Sequence, residues 1–248
     1  MGKSTVSLNL ALALRDRGAA VGILDADLYG PNIPLMVGLK RERWAGDWTI
    51  AGNRKGREEP RMEPIDCCGL KVMSAGFIIA EDQPLILDGA TAYFLVKQMV
   101  ERVDWGNLDY LVVDLPPGTA DVQQSLVKLL PISGAILVVT PQDVAHLDGK
   151  KAVKMFQRAQ VPLLGVVENM SGLICPHCQE PIEVFSRVPE ERSIWSLEVE
   201  NLGAIPLDPQ VSADGDSGRP LLISHPESPQ SQAFRVLAER VVHRLVNR

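Results

Sequence analysis

The sequence predicts an α/β fold in which a mostly parallel sheet carries helices on both faces. Three observations predict it. Near-continuous apolar runs such as "AAVGILDAD", "LDYLVVD", "GAILVVT" and "LLGVVENM" read as strands buried on both sides. Segments with apolar residues at helical spacing alternate with them. Gly and Pro punctuate the junctions, as at Gly18 and at Pro116-Pro117-Gly118.

Taken in order, residues 4–17 place Val6, Leu8, Leu10, Ala13 and Leu14 at helical spacing and stop at Gly18, a C-cap candidate. "AAVGILDAD" is then a strand ending in carboxylates, and "GLKVMSAGF" a second strand. "TAYFLVKQMVERV" is a helix and "LDYLVVDLPPG" a strand closed by its Pro-Pro-Gly. "ADVQQSLVKLL" is a helix, "GAILVVTP" a strand, "HLDGKKAVKMFQRA" a helix, and "VPLLGVVENM" another strand. "LGAIPLDP" resumes a short strand. The last helix starts near Ser228, with Phe234, Leu237, Ala238, Val241, Val242 and Leu245 as its apolar stripe. Two segments break the rhythm: a charged, glycine-containing surface excursion at 40–64 and an irregular cysteine-containing loop at 172–193. The expectation is one domain over residues 1–248.

Composition bounds the function. Apolar residues make up 46% and charged residues 23% of the 248, the balance of a soluble globular chain. A net charge of −6 argues against a nucleic-acid binder working through a broad basic face. With no run of transmembrane length and no signal-like segment, the expected compartment is cytoplasmic. Four cysteines are too few for a disulfide scaffold; C-x-x-C spacing suits thiol or metal chemistry.

Gly2-Lys3-Ser4-Thr5, running into an apolar helix, matches the end of a phosphate-binding P-loop. There, backbone N–H groups and the helix N-terminus cradle phosphates, Lys neutralises them, and the Ser/Thr hydroxyl binds Mg²⁺. As a lone tetrapeptide it equally suits a solvated helix start. Asp25 and Asp27 at the end of one apolar strand, and Asp114 at the end of another, add weight. Carboxylates at the carboxyl ends of parallel strands lie where α/β sheets bind ligands, and one such Asp is needed to hold Mg²⁺. Taken singly, each Asp suits a turn or cap; together, in this order, they specify a nucleoside-triphosphate site. Cys175-Pro-His-Cys178 is the second chemical feature. Its thiols suit iron–sulfur, zinc or redox chemistry, and one such pair supplies two ligands where metal centres usually take four.

"GKSTVSLNLALAL", "GILDADLYGPNIPLMVGL", "LDYLVVDLPPGTADVQ", "VVTPQDVAHLDGKKAVKMF" and "GVVENMSGLICPHC" resemble the Mrp/ApbC family of P-loop ATPases, within the larger MinD/ParA group. The resemblance runs nearly end to end, through "IPLDP" and "SPQSQAFRVLAERV". It implies a MinD/ParA-like P-loop NTPase fold and an ATP-driven carrier or scaffold for iron–sulfur clusters. Such a carrier acts as a homodimer, hydrolyses ATP slowly and delivers clusters to apo-proteins, with neither nucleic acid nor membrane as partner. By position it implies that Gly2, Lys3, Ser4 and Thr5 form the phosphate loop and that Ser4 and Asp114 hold Mg²⁺. Lys3, Asp27 and Asp114 take the catalytic roles, Asp27 orienting water with Asp25 as its neighbour. Gly118 falls near the γ-phosphate, Asn169 at the adenine and Asp208 near the base. Cys175 and Cys178 from two chains supply four thiolates to a bridging [4Fe-4S] cluster. His177 is read as packed or solvated, and Cys67 and Cys68 as ordinary thiols at the start of a strand.

Three departures from the family pattern carry expectations. The family loop reads Lys-Gly-Gly-Val-Gly-Lys-Ser after a strand, so the first strand and half of the loop are expected before residue 1. Met1 then stands where Val belongs, as a GTG codon taken for a start would give, and the chain as it stands is expected to turn over ATP poorly. Asp88 occupies a position where the family carries Arg. "SRVPEERS" replaces a glycine-rich stretch after the cysteines. Two other classes compete: a MinD/ParA-like positioning ATPase using the Arg-bearing last helix at a membrane or at DNA, and a zinc-binding interaction protein with a relic P-loop.

Overall fold

The computed structural model describes residues 1–39, 62–77, 89–116, 131–175, 177–178 and 180–247. The expected excursion at 40–64 falls outside these as far as residue 61, as do Asp88, Gly118 and the expected helix "ADVQQSLVKLL".

The amino-terminal half is built on α1 (Lys3–Asp16), a helix buried almost throughout its length from Val6 to Leu14. Even Asn9 is buried, its amide donating to the Thr5 carbonyl one turn back. The fully buried β1 (Val21–Asp25) follows, then the single turn α2 (Ile33–Met36). β2 (Ile65–Cys67) and β3 (Leu70–Ser74) form an antiparallel hairpin, and β3 lies parallel to β1. After α3 (Gly89–Glu101), β4 (Tyr110–Asp114) lies parallel on the other side of β1. The register sets Asp25 opposite both Ser74 and Asp114. Three chemically loaded residues thus share the carboxyl edge of one sheet.

The second half runs through β5 (Ala135–Val139), α4 (Asp143–Arg158), β6 (Leu163–Ile174), β7 (Pro181–Ile182) and β8 (Asn201–Leu207). β6 pairs in parallel with β5 and β8, and antiparallel with β7. α5 (Pro209–Asp216), α6 (Leu221–Ser224) and α7 (Pro229–Val246) complete the chain. Ser228 caps α7 as expected, its hydroxyl accepting from the Ser231 N–H.

The alternation of parallel strands and helices agrees with the expected α/β class. The expected single sheet, however, appears among the described residues as two hydrogen-bonded sheets, β2-β3-β1-β4 and β5-β6 with β7 and β8. β4 and β5 each keep one edge with no strand beside it among these residues, and most of their side chains are half-exposed. The cysteine segment also differs from expectation. β6 continues past Asn169 to Ile174, and Leu173 and Ile174 pair with Ile182 and Pro181, so the segment opens as a hairpin. Leu173, Ile174 and Ile182 favour extended backbone, which the emphasis on Gly172 and Pro181 concealed.

One large apolar cluster joins α1, β1, β3 and α3 to Leu164, Val167, Leu202 and Ile205 of the second sheet and to Phe234 and Leu237 of α7. A smaller one, centred on Val139, Phe156 and Val166, seals α4 against β5 and β6 and includes Ile194.

Candidate nucleotide site and cysteine hairpin

Gly2 starts α1 with a left-handed backbone, φ 73°. A side chain there would also collide, because a Cβ would lie 2.5 Å from Asn169 Nδ2. Glycine meets both demands. Asn169, buried on β6, donates from Nδ2 to the Met1 carbonyl at 3.0 Å. β6 is thereby tied to the residues just before α1. Lys3, Ser4 and Thr5 occupy the first turn of α1, half-buried, where unpaired N–H groups and the helix dipole favour an anion.

Asp114 lies directly beside that turn. Its Oδ1 accepts from the Ser7 hydroxyl at 2.8 Å, whereas Oδ2 is buried with no hydrogen-bond partner. Burial lifts this carboxyl above its usual range, and the Ser4 and Ser7 hydroxyls and the Lys3 ammonium pull the other way. An orphaned buried carboxylate oxygen next to a serine hydroxyl is a donor set that suits Mg²⁺. The residues present therefore fit the ion: Ser4 and Asp114 would hold it, and it would supply charge neutralisation for phosphate oxygens.

Asp25 and Asp27, expected as neighbours with Asp27 orienting water, differ in burial and in the groups they accept from. Asp25 is fully buried and spends its oxygens on the surrounding loop, accepting from Ser74 Oγ at 2.8 Å, Ile33 N at 3.2 Å and Asp27 N at 3.3 Å. Burial, and then the charge of Asp114, push it up to about 7. Asp27 is half-exposed on the following loop, and its Oδ1 accepts from the Tyr29 and Gly30 N–H groups at 3.2 and 3.1 Å. Asp25 accepts from both sides of the loop, whereas Asp27 accepts from the turn that follows it. Ser7 and Ser74 complete this network and were not anticipated. The signal for Ser7 was its place one turn beyond Ser4 on the same helix face.

Asp208 is the N-cap of α5, its Oδ1 accepting from the Gln210 N–H at 2.8 Å. It follows β8, whose Ile205 lies opposite Asn169, so both sequence-predicted base-side residues gather at one end of the second sheet. Gly118 lies outside the described residues.

The cysteines stand apart, at the far end of β6. The Cys175 N–H donates to the Glu180 carbonyl at 2.9 Å, closing the hairpin, and Cys175 is half-buried while Cys178 is exposed. The backbone N–H groups of Cys178 and His177 hold the Cys175 thiol below its ordinary range, which favours the ligating thiolate. Among the described residues no group of three or more His, Cys, Asp or Glu side chains could hold a metal ion, so this pair has no third ligand there. The returning "SRVPEERS" segment is fixed to α4. Arg192 pairs with Asp143 at 2.7 Å, and His146 Nδ1 accepts from the buried Ile194 N–H at 3.0 Å.

The family described as ParA, NUBPL iron-transfer P-loop NTPase, matches residues 1–242. The iron–sulfur cluster carrier protein of Aquifex aeolicus is 43% identical over 253 residues, covering 100% of this chain and 66% of that protein. The iron–sulfur cluster transfer protein NUBPL of Mus musculus is 40% identical over 247 residues, covering 99% of this chain and 74% of that one. The Escherichia coli K12 carrier is 41% identical over 246 residues, and the chain spans 64% of its length. Among solved structures, a nucleotide-binding protein of Archaeoglobus fulgidus in complex with ADP superposes with a TM-score of 0.74 at 31% identity, over 94% of this chain and 86% of that one. The cell-division ATPase MinD of Pyrococcus furiosus gives a TM-score of 0.67 at 25% identity, over 98% of this chain and 93% of its own.

Proposed function

Because the chain belongs to the NUBPL iron-transfer P-loop NTPase family, we propose that it binds ATP with Mg²⁺ and carries an iron–sulfur cluster to apo-protein recipients. The supporting observation is β6. β6 holds Asn169 against the residues before α1, breaks register between Asn169 and Leu173, and delivers Cys175 to a hairpin a few residues later. Nucleotide-dependent movement of Asn169 has a direct covalent path to the thiols.

The finer assignments belong to the same proposal. Gly2, Lys3, Ser4 and Thr5 hold the phosphates, Ser4 and Asp114 the Mg²⁺, and Asp27 orients the attacking water, with Asp25 keeping its loop in shape. Gly118 serves the γ-phosphate, and Asn169 and Asp208 the nucleobase. A pair of thiols with no third ligand among the described residues favours a homodimer in which two copies of Cys175 and Cys178 bridge a [4Fe-4S] cluster. Hydrolysis of ATP by the chain is slow and impaired. The cytoplasm suits such exposed thiols.

The positioning-ATPase alternative needs a free apolar face on the last helix. Phe234, Leu237, Ala238 and Val241 of α7 are buried, which leaves that helix docked on the fold. Anaerobic reconstitution with iron and sulfide, read by visible absorbance and metal analysis, tests the proposal. Cys175→Ala and Cys178→Ala are each expected to abolish cluster absorbance and to shift the protein towards monomer. Iron retained at wild-type levels by both variants would overturn the assignment.

A further inference from the structure

Cys67 and Cys68 are not the isolated thiols that their adjacency suggests. They sit where β2 turns into β3, and their Sγ atoms face each other at 3.6 Å. The hairpin loop is Cys68-Gly69, with φ of 54° and 70°. Two positive φ values in a two-residue loop define a type I′ turn, whose first position normally takes Asn, Asp or Gly. A cysteine there works against backbone preference, so the thiol answers to something other than the turn.

The surroundings hold the pair in place. Arg15 of α1 donates to the Cys68 carbonyl, and Cys67 Sγ donates to the Val37 carbonyl at 3.4 Å, just beyond α2. Both thiols are half-buried, packed at the margin of the large core yet within reach of a small reagent.

We propose that Cys67 and Cys68 form a reversible thiol–disulfide pair that reacts with low-molecular-weight disulfides. The Cys68 thiolate attacks the reagent RSSR; the reagent S–S bond breaks, a Cys68–SR mixed disulfide forms and one RS⁻ leaves, taking up a proton. Cys67, on losing its proton, then attacks Cys68 Sγ, expelling the second RS⁻ and closing the Cys67–Cys68 bond. The two cysteine sulfurs are oxidised and the two reagent sulfurs reduced, with two RSH released for each RSSR consumed. Burial and the neighbouring thiol push Cys67 up to about 11, which makes the closing step the slow one and accelerates it as pH rises. Adjacent Cα atoms are about 3.8 Å apart, below the usual span of a disulfide, so the bond is strained and readily reduced. Closing it also withdraws Cys67 Sγ from Val37. The proposal stands on residues outside the cluster-carrier assignment and is tested without cluster or nucleotide.

The full chain is incubated anaerobically with oxidised glutathione, alkylated in acid, digested and mapped by mass spectrometry. The expected result is a loss of two hydrogens from the peptide holding Cys67 and Cys68, restored by dithiothreitol. Cys67→Ser is expected to stop at a glutathione adduct on Cys68. Separate alkylation of both thiols under these conditions, or two glutathione adducts on that peptide, would overturn the proposal.

Discussion

Asp25 shows how a buried carboxylate can be spent on the loop around it. It is fully buried beside Asp114, and its three hydrogen-bond donors come from the loop that carries Asp27 and from Ser74. Its folded pKa of about 7 stands above the ordinary 3.8, so between those values the native state binds a proton that the unfolded chain has released. The stabilisation is complete below 3.8 and is lost as pH rises towards 7. In Mg²⁺-free buffer, Asp25→Asn is expected to flatten this decline, which amounts to at most about 4 kcal/mol over the window. Urea denaturation of both proteins at intervals from pH 4 to 7 measures it; parallel curves for the two would show that Asp25 titrates normally. The strand ending in Asp25 was legible as an apolar run closed by carboxylates. Its partner Ser74 was not, because it lies 49 residues away in sequence and only the β1–β3 register brings it in.

At the scale of elements, α4 acts as the mount for the return of the cysteine hairpin. His146 is buried on it, Nδ1 accepting from the Ile194 N–H, with Trp195 set edge-on to its ring at 6.3 Å between centroids. Desolvation is the main cause holding this imidazole below the usual histidine range, and nearby Lys150 adds to it while Asp143 opposes. The sign follows: as pH falls below about 6.5, the unfolded chain takes up a proton that the native ring refuses, and stability drops. His146→Phe removes the acceptor and leaves a buried N–H unpaired, at a cost of about 1–3 kcal/mol at pH 7.5. It is also expected to shrink the stability difference between pH 7.5 and 5.5, measured by chemical denaturation. An unchanged difference would place the acid sensitivity elsewhere. Long periodic elements such as α1, α4 and α7 could be read from sequence because their apolar spacing repeats over several turns. α2 and α6, each one turn long, and the two-residue β7 hold no full period, so tertiary pairing alone reveals them. The same limit hid the hairpin that presents Cys175 and Cys178.

At the scale of the molecule, the two sheets share no hydrogen-bonded strand pair between β4 and β5 among the described residues, and two helices pack across both. α1 packs on β1, β3 and β4 of the first sheet and on α7, while α7 packs on β8 and β6 of the second. Phe234, with 0% of its surface exposed, belongs to the core cluster that contains residues of both sheets. Gly2 starts α1, and Asn169 of β6 donates to the Met1 carbonyl beside it, so the candidate nucleotide site spans the same junction. Stability and site geometry therefore depend on one contact surface. Phe234→Ala is expected to destabilise the fold by about 3–5 kcal/mol. Because the cavity opens between the halves, unfolding should also lose its single transition, with the α4–β5–β6 cluster outlasting the first sheet. Fluorescence and far-ultraviolet circular dichroism followed through the same urea series read this directly. Coincident transitions in the variant would show that β6 and the smaller cluster alone keep the halves cooperative, and that α7 is only a cover.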